Sequence, residues 1–151
     1  MAWAIRRGVA ADAAVIAEFN RLMALESEGK ALDPAVVAAG VAAGLADPHK
    51  GLYFLAEEDG RVLGQAMISP EWSDWRNGWI WWFQSVYVRP EARRSGVFRG
   101  LYEHVYQTAR AADDVVGLRL YVARDNWAAQ ETYVRLGMAQ ANYLVFERCP
   151  L

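Results

Sequence analysis

Lysine is nearly missing from this chain of 151 residues: Lys30 and Lys50 are the only two among 16 basic side chains. Cysteine is scarcer still. Cys149 stands alone near the C-terminus, which excludes an internal disulfide and any zinc-type spacing of thiols. No apolar run approaches the roughly 20 residues that a membrane span needs. No basic segment followed by an apolar stretch opens the chain as a signal peptide would. The formal charge of −2 supplies no positive excess for nucleic acid. There is no repeat, linker or low-complexity tract. The expectation is a cytoplasmic protein without metal, membrane or nucleic-acid partners.

What is abundant is material for a core. With 54% hydrophobic and 23% charged residues, the chain is expected to fold as a single domain over 1–151. The arginine bias suits phosphate recognition, because a planar guanidinium fork matches oxyanions; codon usage is the plainer cause.

Periodicity sets out the elements. Trp3 to Arg7 alternates as a strand, and Asp12 is placed to cap a helix bearing Val15, Ile16, Phe19, Leu22 and Met23 on one face. Asp33-Pro34 opens a second helix. Leu52–Glu57 and Arg61–Ser69 read as a hairpin about Asp59-Gly60, with Pro70 ending its second strand. A polar connection carrying Trp72 and Trp75 leads to a strand over Trp79–Val88. Then follow a helix over 96–112 burying Val97, Leu101, Val105 and Ala109, a strand over 117–123, a helix over 127–136 and a last strand over 143–148.

Two stretches carry chemistry. Gln84 to Leu101 reads as a buried strand, an arginine- and glycine-rich turn and an amphipathic helix. Such a turn offers N–H groups and the positive end of a helix dipole, a combination that binds phosphate. A plain helix start with solvated arginines would look the same. In the second stretch Asn126 is placed to cap a helix, Tyr133 lies two turns on along the same face, and Gly137 suits a left-handed residue after the helix. Tyr133 would serve equally as a packed core residue.

Arg93-Arg94-Ser95-Gly96-Val97-Phe98 resembles the pyrophosphate turn of the GNAT acyltransferases, matching at Arg93 and Gly96 and departing at Phe98, where a small residue is usual. Asp125 to Met138 resembles the later signature of the same family, and Trp72 to Gly78 is similar to a turn in its diamine and thialysine acetyltransferase branch. The resemblance implies an α/β (α+β) GNAT fold, with a mixed, mostly antiparallel sheet, a splayed central strand and helices on both faces. It implies acetyl-CoA as co-substrate, a small-molecule amine as acceptor, and a homodimer.

By the same resemblance, Val86 and Val88 pair with the pantetheine arm, and the Val86 N–H polarises the thioester carbonyl. The N–H groups of Arg94, Ser95, Gly96, Val97, Phe98 and Arg99 hold the pyrophosphate, with ionic help from Arg93, Arg94 or Arg99, and Asn126 joins this cofactor-binding set. Tyr133 is the general acid. Gln84 stands where relatives carry a glutamate base, and an amide takes no proton. Glu71, Asp74, Glu26 and Glu28 are the other carboxylates considered for that task.

Strict alternation places Ile80, Trp82 and Gln84 on the face that continues to Val86 and Val88, so Trp82 is expected to wall the acceptor pocket; Trp75 is a second aromatic candidate. A reading from another class is a protein that binds acetyl-CoA without catalysis, as a sensor or interaction module.

Overall fold

The structure is a computed structural model that describes residues 2–151. The chain divides into two compact units, one ending at Leu120 and one spanning Tyr121–Leu151.

The first unit is built on a 5-stranded sheet in the order β1-β2-β3-β4-β5. Its strands are β1 (Ala4–Arg7), β2 (Leu52–Glu58), β3 (Arg61–Ser73), β4 (Gly78–Val88) and β5 (Val115–Leu120). Neighbours are antiparallel except β4 and β5, which run parallel. A parallel neighbour needs a crossover, and helix α3 (Val97–Ala111) provides it. Helices α1 (Ala13–Glu28) and α2 (Pro34–Ala46) cover the opposite face. There Ile16, Phe19 and Val41 pack with Tyr53, Leu55, Val62 and Tyr87. On the α3 face Phe83 stacks on Tyr102 at 5.6 Å, and Val97, Leu101, Val105 and Ala109 are all buried, as their spacing predicts.

Local chemistry explains most boundaries. Asp33 accepts from the N–H groups of Ala35 and Val36, a cap worth about 1 kcal/mol. Asp59 and Gly60 both take positive φ, the type I′ geometry of a two-residue hairpin. Asp12 departs from expectation. Its side chain does not cap α1, because both carboxylate oxygens are held by Arg6, at 2.8 and 2.9 Å, and the Val9 N–H adds a third bond at 2.8 Å.

Pro70 does not end β3. It sits in register with Trp81, and β3 runs on to Ser73. The pairing with β2 stops at Leu52 opposite Ile68, so past that point β3 is an edge strand, where a missing N–H costs no ladder bond. Trp72 therefore belongs to a strand and meets Trp79 edge-on at 5.1 Å, leaving only 74–77 as the turn.

The second unit contains helix α4 (Trp127–Arg135). The predicted strand over 143–148 is not formed. Residues 139–151 take no regular structure, and Tyr143, Leu144, Val145 and Phe146 are exposed. Strand propensity produces a strand only where another strand's ladder is available, and this unit contains none among its described residues. No helix is long and apolar enough to cross a membrane among the described residues.

Candidate active site

The pairing of β4 with β5 ends at Phe83 opposite Leu120, where β5 itself ends, although β4 continues to Val88. From Gln84 onward the β5-side edge of β4 therefore lacks that neighbour. The groups on this edge follow from the β3 side. Arg89 donates its N–H to the Leu63 carbonyl at 2.8 Å, in register beyond the Gly64–Val88 pair. Antiparallel ladders alternate bonded and non-bonded pairs. Tyr87 and Ser85 thus turn their main-chain groups toward β3, while Val86 and Val88 turn theirs to the edge that β5 has left.

A β-bulge marks the same point. Met67 lies opposite Ser85 and Ile68 opposite Phe83, which leaves Gln84 as the extra residue on β4. This corrects the expected side-chain faces. One added residue reverses the parity of everything beyond it. Val86 and Val88 share the α3 face with Phe83: a Cβ at Gly64 would meet Val97 of α3 at 3.2 Å and Val88 at 3.3 Å. Ile80 and Trp82 lie on the other face, with Ser85 and Tyr87. Gln84 itself is exposed.

After β4 the chain makes a short 3-10 turn over Pro90–Ala92 and enters α3. Arg94 and Gly96 take positive φ, 62° and 85°, and Ser95 bonds back to the Ala92 carbonyl through its hydroxyl. Gly96 is the N-cap of α3 and has no side chain to spend on the helix. The ladder of α3 begins with Gly100 N–H to Gly96 O at 2.9 Å, so its first turn presents N–H groups without intrahelical acceptors. Positive φ beside helical backbone gathers such groups into an anion-binding concavity. Phe98 is the second residue of α3 and is half-buried. Arg94 is exposed, as is Arg99.

Arg93 is not directed outward for an anion. Its Nε donates to the Val88 carbonyl at 2.9 Å, its Nη2 meets Glu26 Oε2 at 2.8 Å, and its guanidinium lies 5.4 Å from the centre of the Tyr87 ring. The Tyr87 hydroxyl donates to the other Glu26 oxygen at 3.3 Å. Burial, then the charge of Glu26, raises the Tyr87 pKa.

The remaining carboxylates separate. Glu71 Oε1 accepts from the Trp82 indole at 3.2 Å and from Arg119 at 3.4 Å, with Arg119 5.7 Å from the Trp82 ring centre. This carboxylate, guanidinium and indole lie on the α1 face, one pair before the β4–β5 ladder ends. Sequence reading missed Arg119; its signal was a lone arginine in an apolar strand. Glu28 pairs with Lys30 at 3.6 Å, Asp74 belongs to the hairpin turn, and Trp75 is exposed at that tip.

In the second unit, Asn126 Oδ1 caps α4 by accepting from Ala129 N–H at 3.2 Å. The helix ends as its glycine predicts: Gly137 has φ 94°, Met138 N–H reaches Tyr133 O at 2.9 Å, and Gly137 N–H reaches Val134 O at 3.0 Å. Burial pushes the Tyr133 phenol above its ordinary pKa.

A strand edge that β5 no longer pairs, followed by an N–H-rich helix start, fits an amide-bearing arm that ends in a diphosphate: the edge pairs amides, and the helix start takes the anion. No match is found among curated proteins. The chain is similar over its full length to a possible acetyltransferase from Clostridium difficile 630, with 40% identity, TM-score 0.94 and 99% of that chain covered. It shares its fold with a putative acetyltransferase from Arthrobacter sp. FB24, at 22% identity and TM-score 0.81, covering 96% of this chain and 94% of that one. It shares it also with AAC(6')-Iy bound to the bisubstrate analog CoA-S-monomethyl-acetylneamine, at 17% identity and TM-score 0.77, covering 99% of each. The model of the acetyltransferase (GNAT) family matches residues 16–138, and the chain belongs to that family.

Proposed function

We propose that this GNAT acetyltransferase moves an acetyl group from acetyl-CoA to a primary amine of a small molecule by direct attack, with no covalent enzyme intermediate. The observation that carries this reading is the end of the β4–β5 ladder at Phe83 and Leu120, past which β4 runs on to Val88 and the turn before α3. Acetyl-CoA supplies an acyl group activated as a thioester. Val86 and Val88 pair with its pantetheine arm, and the Val86 N–H polarises the carbonyl under attack, a task worth 10²–10³ in rate for a single donor of this kind. The turn from Arg94 to Arg99 holds the diphosphate, with Arg94 and Arg99 as its ionic partners in preference to the engaged Arg93. Tyr133 gives a proton to the departing thiolate, a role that the resemblance assigns and that suits a phenol, which is protonated at neutral pH. Asn126 holds the helix that carries it.

Gln84 takes no proton, and Glu26 and Glu71 are both tied to guanidinium groups, so an amine that is partly neutral on arrival suits the site, and the proton that it sheds on forming the amide leaves to water. Trp82, Glu71 and Arg119 form its acceptor-side wall. Likeness to the diamine and thialysine branch puts diamines first among acceptors to try. A homodimer belongs to this reading, supported by exposed Trp75 and the exposed apolar run 143–146.

Calorimetry with acetyl-CoA and CoA release with a panel of amines test the proposal. Binding followed by amine-dependent release supports it. Binding without release under any amine supports instead a sensor, which Gln84 and Phe98 favour.

A further inference from the structure

A strand-like ligand on a sheet edge has a register problem. Main-chain groups repeat every two residues, about 7 Å, so a ligand that fits one position also fits the next. A thioester displaced by that much would leave the Val86 N–H. The edge of β4 is closed at one end by the Phe83–Leu120 pair. At the other end the outward carbonyl of Val88 already accepts from Arg93 Nε at 2.9 Å. Between these stops the edge offers the outward groups of Val86 and the Val88 N–H.

Arg93 is held at its stop from outside the strand. Glu26, in the last turn of α1, takes its Nη2 at 2.8 Å and is itself oriented by the Tyr87 hydroxyl at 3.3 Å. The Tyr87 ring lies beneath the guanidinium, and Phe19 of α1 packs on that ring at 5.0 Å. We infer that Glu26 is a positioning residue: acting through Arg93, it keeps the Val88 carbonyl occupied and so denies the acyl-CoA arm the slipped register along β4. This rests on the acyl-CoA reading proposed above.

Slipped binding is nonproductive binding, and it has a kinetic signature. It lowers kcat and KM by the same factor and leaves kcat/KM unchanged. Simple loss of structure lowers kcat alone, and loss of attraction raises KM alone. Glu26→Ala and Arg93→Ala are each expected to lower kcat about fivefold, with an equal fall in KM for acetyl-CoA. The double variant should do no more than either single one. Glu26→Gln keeps an acceptor for Arg93 and should recover most of the loss. Melting curves identify any variant that fails to fold, and Arg93→Met, which keeps the stem beside Tyr87 and removes the donors to Glu26 and the Val88 carbonyl, carries the test if the alanine variants do. A fall in kcat at constant KM, a rise in KM, or unchanged kinetics in the folded alanine or methionine variants overturns the inference. Failure of the wild-type protein to bind acetyl-CoA removes the underlying reading instead, so the two failures are distinct.

Discussion

Phe83 of β4 and Leu120 of β5 face each other as the last register pair of two parallel strands. Past them β4 has a partner on its β3 side and none from β5, and the Val86 N–H faces the vacated side. Val86→Pro removes that N–H without removing a bond to β3. The variant is expected to fold, with a lowered Tm, and to lose about 10²-fold in kcat. Thermal melts and steady-state kinetics check both parts; full activity in a folded variant would detach the Val86 amide from the chemistry.

Gly96 takes φ 85° at the cap of α3. A β-branched side chain there costs about 1–3 kcal/mol in backbone strain and crowds the surface to which the proposal assigns the diphosphate. Gly96→Val should weaken acetyl-CoA binding at least tenfold by calorimetry. Gly60 also has positive φ, but in the β2–β3 hairpin, so Gly60→Val should reduce stability and leave affinity unchanged.

Tyr133→Phe removes one hydroxyl and little volume. General acid catalysis contributes 10²–10⁴ in rate, so kcat should fall by about 10² while acetyl-CoA affinity stays within twofold. The variant should also lose any fall of kcat at alkaline pH caused by ionisation of the phenol. Unchanged turnover removes Tyr133 from the mechanism.

Asp12 is buried and held by Arg6 and the Val9 N–H. The Arg6 hydrogen bonds, ahead of the Val9 N–H, set its pKa below the ordinary value. A depressed carboxyl adds stability above its unfolded pKa, and that stability is lost as pH falls through the folded value. Asp12→Asn should cost about 2 kcal/mol at neutral pH, at the low end for a broken pair because Arg6 is partly exposed. The deficit should shrink below the usual carboxylate range. Denaturant midpoints at pH 7 and pH 3 measure both; an equal deficit at the two values contradicts the ion-pair origin.

What the chain's own letters determined is what depends on neighbours within a few residues. The buried stripe of α3, the Asp33 and Asn126 caps, the Asp59-Gly60 hairpin and the glycine end of α4 all follow from contacts one or two turns apart. The helix starts at Gly96 and Asn126 were legible for the same reason. Pairing between distant segments was not. Pro70 continues a strand because β2 has already ended, and 143–148 is no strand because propensity supplies no partner. The single extra residue at Gln84 turned Val86 and Val88 away from the face that alternation gave them. Arg93 carries a phosphate-binder's chemistry in sequence, but tertiary contacts commit it to Glu26 and the Val88 carbonyl. Hydrogen-bond register and ion pairing across 67 positions of chain are decided by which elements meet, and local periodicity holds no record of that.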